Sequence, residues 1–113
     1  MRHVEKALKW LKADNPERDY GNFIEIENIE DVKGIAPVVK FTIQSDPIGE
    51  VGVNGVQALD MLEYVKYLFK SLNDAYPCVE NAHTVDAIDE AIFWQNERTK
   101  DRISRSVEGK NEA

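Results

Sequence analysis

The side chains of this chain best suited to chemistry gather in one stretch, WQNERTKDRISR, from Trp94 to Arg105. Arg98, Arg102 and Arg105 stand there close to a tryptophan, although the formal net charge of the chain is −7. A guanidinium is a planar donor fork that matches phosphate oxygens, and an indole offers a flat face for stacking a base or a guanidinium. At 100° per residue, Ala87, Ala91, Trp94, Arg98, Arg102 and Arg105 share one face of a helix. The two alanines leave room there for a ligand or another backbone. The same residues also describe a solvated helix end, because cations in the last turns favour the helix dipole. Arg98 and Arg105 can each pair with Asp101, whereas Arg102 has no acid at i±3 or i±4. Like charges at i,i+4 cost only about 0.2–0.5 kcal/mol. Spacing alone therefore leaves both an anion site and a solvated basic face open.

Other candidates carry less. His3 and His83 are far apart, and Cys78 alone does not complete a metal-ligand set with them or a Cys–His nucleophile. Cys78 reads as a turn residue. Asp86, Asp89 and Glu90 read as helix-N-terminal charges rather than an acid–base pair. The segment PIGEVGVNG is glycine-rich but is not a P-loop, and it reads as a strand-to-helix connection. Asn81, near a helix start, reads as a capping residue at a place where exposed N–H groups could also hold an anion. No enzyme, metal or cofactor is expected from this inventory.

These side chains need elements to position them. Val4, Ala7, Leu8 and Leu11 mark one face of an N-terminal helix that ADNP stops. NFIEIENI and PVVKFTIQ alternate with period two and predict an antiparallel hairpin joined at EDVKG, with Pro37 at a strand start or an edge. A short third strand is expected near Glu50 to Val53. From Val56 to Tyr76 the period is helical, with Ala58, Met61, Leu62, Val65, Leu68, Phe69, Leu72 and Tyr76 as the apolar stripe. Pro77 ends that helix. A second long helix is expected from Glu80 to Val107, with Val85, Ile88, Ile92, Thr99 and Ile103 as its stripe and a stop at Gly109.

The predicted fold is α+β: one domain spanning 1–113, with an N-terminal helix at 1–14, a small antiparallel β-sheet at 22–53 and a hairpin of two long antiparallel helices at 55–108. Phe93, Trp94, Tyr64 and Tyr67 fall outside the main stripes, so a homo-oligomer built on the long helices is expected. The acidic balance argues against a nucleic acid polymer as partner. No apolar run approaches the roughly 20 residues of a membrane span. The single cysteine fits a reducing, cytoplasmic setting.

The stretch from Tyr76 to Gly109 resembles the helical-hairpin region of phage cyclic-nucleotide sponges, the anti-Thoeris and anti-CBASS proteins that share a hairpin domain. The residues that match that pattern are Pro77, Glu80, Asn81, Ile88, Glu90, Ala91, Trp94, Arg98, Thr99, Val107, Glu108 and Gly109. With the segment IQSDPIGEVGVNGVQALDML before it, the likeness runs from Phe41 to Gly109. The resemblance implies a protein that binds a small anionic cyclic nucleotide signal and holds it uncleaved. The implied ligands are cyclic ADP-ribose isomers or cyclic oligonucleotides, bound between subunits of a dimer or hexamer. It implies ligand contacts from Asn81 and Arg98, with Thr99, Arg102 and Trp94 alongside. Val79, Asp86 and Ala87 depart from the pattern, which favours an ADP-ribose-type ligand. The alternative is a helical-hairpin oligomerisation or protein-interaction module that has lost ligand binding.

Overall fold

A computed structural model describes residues 2–18 and 20–105. The first helix, α1, spans His3–Asp14, and Ala7 and Leu11 of its apolar face are fully buried. It ends at Asn15, where Pro16 disfavours helical geometry, and the Asn15 side-chain amide donates to the Leu11 carbonyl at 3.0 Å. Two strands follow, β1 (Ile24–Asp31) and β2 (Gly34–Phe41), paired antiparallel from Ile24↔Phe41 to Asp31↔Gly34. The connection is Val32–Lys33, shorter than the EDVKG turn read from the sequence. Asp31 Oδ1 accepts from the Lys33 N–H at 2.7 Å there, and Gly34 supplies a φ of 125°. Pro37 sits opposite Asn28 inside β2, which a two-stranded sheet tolerates because both its strands are edges.

The expected third strand is replaced by a short helix, α2 (Ile48–Val51). The reason lies in the flanking side chains. Gln44 Nε2 donates to the carbonyls of Asp46 at 3.1 Å and Gly52 at 2.9 Å, and Gln44 Oε1 accepts from the Asn54 N–H at 2.9 Å. Asn54 in turn bonds both backbone groups of Ser45, at 2.8 and 2.9 Å. With these groups satisfied inside the loop, no ladder is needed. Strand-like pairing survives at the parallel bridge between Ile43 and Val56. Val56 is therefore buried outside the helix, and α3 begins two residues later than its periodicity suggests, spanning Ala58–Ala75. The last helix, α4, spans Val79–Ser104. The expected end at Val107 and stop at Gly109 lie outside the described residues.

The core corrects the sequence reading of α3. The buried positions are Asp60, Tyr64, Tyr67 and Ser71, whereas Met61, Val65 and Tyr76 of the expected stripe are exposed. Helix α3 lies between α1 and α4 and has two packed faces. The face toward α1 is the drier one, and it uses tyrosines because their hydroxyls find acceptors at its edge. Tyr64 donates to the Val4 carbonyl at 2.9 Å and Tyr67 to the Asp14 carboxylate. Tyr64 and Tyr67 are thus core residues with Ala7, Leu11, Tyr20, Ile24 and Val56, not groups left over for association. The apolar stripe faces elsewhere and stays half covered. Lys66 joins Asp89 across the α3–α4 seam at 2.6 Å. The molecule is open in shape, with extents of 49 × 32 × 23 Å and a radius of gyration of 16.2 Å, against about 13 Å for a compact chain of this length.

Candidate functional site

Helix α4 starts at Cys78, whose thiol sulfur accepts from the Asn81 N–H at 3.4 Å, while the Cys78 N–H donates to Asn73 Oδ1 at 3.0 Å. The cap is therefore Cys78 and not Asn81. Asn81 stands in the first turn, half-buried, with its side-chain amide available for other contacts. Toward the other end, Trp94 is 60% exposed and meets Phe93 edge to face at 5.2 Å. Arg98 is exposed and Thr99 half-buried. Asp101 is taken by Arg105, whose Nε lies 3.1 Å from Oδ2. Among the described residues Arg98 forms no ion pair, so its guanidinium stays available to an external anion. Arg102 departs from the expected open arginine, since only 5% of its surface is exposed.

The structure groups these residues only in part. Trp94, Arg98 and Thr99 lie within two turns of α4. Asn81 is seventeen positions before Arg98 on one continuous helix, which separates them by about 25 Å at 1.5 Å per residue. One chain does not bring both to a single small molecule. Of the 26 residues of α4, only Arg102 is buried. Val79, Phe93, Trp94 and Ile103 are each more than half exposed.

A second polar cluster escaped the sequence reading. Asp60 is fully buried at the third position of α3 and accepts from the Gln57 N–H at 2.7 Å, from Arg18 Nη2 at 2.9 Å and from the Tyr20 hydroxyl at 3.4 Å. The spacing from Gln57 to Asp60 is the local signal that could have found it, an acid three residues after a helix cap. Arg18 also stands 5.8 Å from the Tyr20 ring centre. Lys12, Pro16, Arg18, Tyr20 and Gly21 line an open cleft of about 350 Å³ beside it. Burial, reinforced by Asp60, pushes the Glu63 carboxyl above its ordinary value, and burial likewise pushes up the Tyr20 hydroxyl. His3 Nδ1 lies 2.6 Å from Ser71 Oγ, and among the described residues no three His, Cys, Asp or Glu side chains are placed to hold a metal ion. The cluster ties the segment after α1 to the start of α3.

Over 85 residues, 74% of its length, the chain is 35% identical to a protein named Thoeris anti-defense 1 from Bacillus phage SBSphiJ7. The match spans 58% of that protein's length. No protein-family model matches the chain, and no solved structure matches it.

Proposed function

Over the matched residues this chain belongs to the family of Thoeris anti-defense 1, and from that kinship we propose that it is a phage anti-defence protein. In this reading it captures a cyclic nucleotide signal, a cyclic ADP-ribose isomer, and holds it uncleaved in the host cytoplasm so that the signal reaches no effector. No described helix is long and apolar enough to cross a membrane.

The observation that carries the reading is the state of α4. A 26-residue helix with no buried apolar residue leaves uncovered surface that a second helix would cover, since packing supplies most helical stability in proteins. Two copies of α4 crossing antiparallel midway between positions 81 and 98 bring Asn81 of each chain beside Arg98 of the other. That crossing restores in the pair what 25 Å of helix separates in the monomer. Two-fold symmetry makes the arrangement twice over. The amide of Asn81 then meets polar edges of the ligand, and Arg98 meets its pyrophosphate as a charged donor fork. Trp94 and Phe93 shield the pair from water. No bond is made or broken, so the chain needs binding and exclusion of solvent and no nucleophile.

The test is to incubate the purified protein with cyclic ADP-ribose isomers and with cyclic di- and trinucleotides, remove free ligand, denature by heat and identify what is released. Intact ligand is the expected product. Altered ligand identifies an enzyme, and no uptake of any signal identifies an oligomerisation module. Arg98→Ala is expected to weaken uptake at least tenfold, about 1.4 kcal/mol, with an unchanged Tm, as calorimetry would measure.

A further inference from the structure

The Asn54–Gly55 pair before α3 carries a chemistry that neither the core nor the α4 site uses. Of the asparagines in the chain, Asn54 alone is followed by a glycine. With no Cβ on the following residue, the next backbone nitrogen approaches the asparagine side-chain carbonyl with least hindrance. Cyclisation to a succinimide is therefore easiest at such a pair. The fold needs both residues. A Cβ on Gly55 would lie 2.5 Å from the Ile43 carbonyl carbon and 2.7 Å from the Thr42 oxygen, both backbone atoms. Asn54 Oδ1 accepts from the Ser45 N–H at 2.8 Å, while Nδ2 donates to the Ser45 carbonyl at 2.9 Å. Aspartate has the same length but lacks the donor, and glutamine is a methylene longer.

Two features hold the reacting atoms apart. Asn54 is exposed, but its amide is tied on both sides to Ser45. Gly55 is buried, which keeps hydroxide from its N–H. That N–H has no hydrogen-bond partner among the described residues, so no bond must break before it reacts. Gln44 fastens the loop. Its side chain donates to the Asp46 and Gly52 carbonyls and accepts from the Asn54 N–H. Little else holds it: Val51 and Val53 are more than half exposed, and Asp46 sits at a φ of 65°. A segment with exposed hydrogen bonds and few buried apolar contacts opens at low free energy.

We propose that Asn54 is a self-modification site, closed while the Gln44 clamp is shut, and that its product cannot refasten the loop. In the open loop the Gly55 nitrogen gives its proton to hydroxide and attacks Asn54 Cγ. The N–Cγ bond forms, the Cγ–Nδ2 bond breaks, and Nδ2 takes up a proton and leaves as ammonia. Water then opens the succinimide at either carbonyl. The balance is one water consumed and one ammonia released, with no oxidant or reductant. Opening at Cγ leaves aspartate, whose carboxylate faces the Ser45 carbonyl where Nδ2 had donated, in a loop that already carries Asp46 and Glu50. Opening at the main-chain carbonyl leaves isoaspartate, with an extra atom in the backbone. Val56 then loses register with Thr42 and Gln44, whose backbone bonds to it are each 2.8 Å. Val56 is 2% exposed and stands immediately before the Gln57 cap of α3. The modification is a one-way release of the step from loop to helix, independent of signal capture.

The experiment ages the full-length protein in mildly alkaline buffer, with peptide mapping by mass spectrometry and an isoaspartyl methyltransferase to score isoaspartate. Asn54 is expected to convert ahead of the exposed Asn22, Asn28 and Asn96, yet more slowly than in a synthetic peptide of residues 50–58. Gln44→Ala is expected to convert about tenfold faster. Gln44→Glu, which keeps the acceptor and loses the donor, is the second clamp variant and is expected to accelerate as well. Circular dichroism checks that both fold. The aged fraction, separated by its added charge on an anion exchanger, and Asn54→Asp are both expected to show faster hydrogen exchange at Val56 than fresh wild type. Conversion at Asn54 no faster than at the other three asparagines, a folded rate equal to that of the peptide, no acceleration in either clamp variant, or unchanged exchange at Val56 in the aged fraction would each overturn the proposal.

Discussion

At the scale of single residues, stability is concentrated in a carboxylate the chain has buried. Asp60 has no exposed surface, and it joins a helix start, an arginine and a tyrosine. Removing it leaves those donors poorly matched. Asp60→Ala is expected to cost about 2–4 kcal/mol. The figure stays below that of a fully buried pair because Arg18 keeps 34% of its side chain in contact with solvent. Urea denaturation would measure it. Glu63, close by, tests the sign of the local field. Burial first, and the Asp60 charge second, raise its pKa above the ordinary 4.5. A carboxyl raised on folding contributes stability fully below the unfolded value, and that contribution is lost as pH rises through the folded value. Glu63→Gln keeps an acceptor for Asn15, which donates to it at 3.3 Å. The variant is expected to melt above the wild type at pH 7, with the gain vanishing below pH 4.5. The tyrosines extend the same logic to alkali. Burial raises Tyr64 and Tyr67 above 10, so stability holds below pH 10 and falls as pH climbs through the elevated folded values. Chemical denaturation across that range, with tyrosinate absorbance as a second signal, checks this. None of these groups was legible as a cluster, because Arg18, Tyr20 and Asp60 meet only through folding. The pairing of Arg105 with Asp101, set by helical spacing alone, was legible.

At the scale of elements, periodicity located α1, the β-hairpin and both long helices, since each pattern is local. It chose the wrong face of α3 for burial. Hydrophobic counting ranks Leu and Met above Tyr, yet a helix flanked on two sides buries the face whose polar tips find acceptors. The tyrosines do so at Val4 and Asp14. The loop before α3 misled for a related reason. Val51 and Val53 look strand-like, but Gln44 and Asn54 satisfy the backbone from within the loop. That loop is held tightly enough to test. A Cβ on Gly55 would lie 2.5 Å from the Ile43 carbonyl carbon and 2.6 Å from the Gln44 nitrogen. Both are backbone atoms and cannot swing aside. Gly55→Ala is therefore expected to lower stability by more than about 2 kcal/mol, and hydrogen exchange would show the Ile43–Val56 bridge opening first.

At the scale of the whole molecule, the elongated shape and the exposed residues of α4 are the features that the proposed pairing of two chains would use. Trp94→Glu places a charge on a helix face that the described residues leave mostly exposed. It is expected to reduce the mass seen by light scattering with little change in helical content. The resemblance read from the sequence points to Asn81 and Arg98, and one long helix sets them far apart on a single rod. Distance along a helix is legible from residue numbers, whereas the way two rods cross is not.

The cap of α4 has a practical consequence. Cys78 is the single cysteine of the chain, exposed, and three residues from Asn81. A maleimide dye placed there needs no engineered thiol and no removal of competing ones. The thioether keeps a sulfur lone pair for the Asn81 N–H, so labelling leaves the helix start in place. Chains labelled separately with donor and acceptor and then mixed would report subunit exchange and signal capture as a change in energy transfer, making the protein its own sensor.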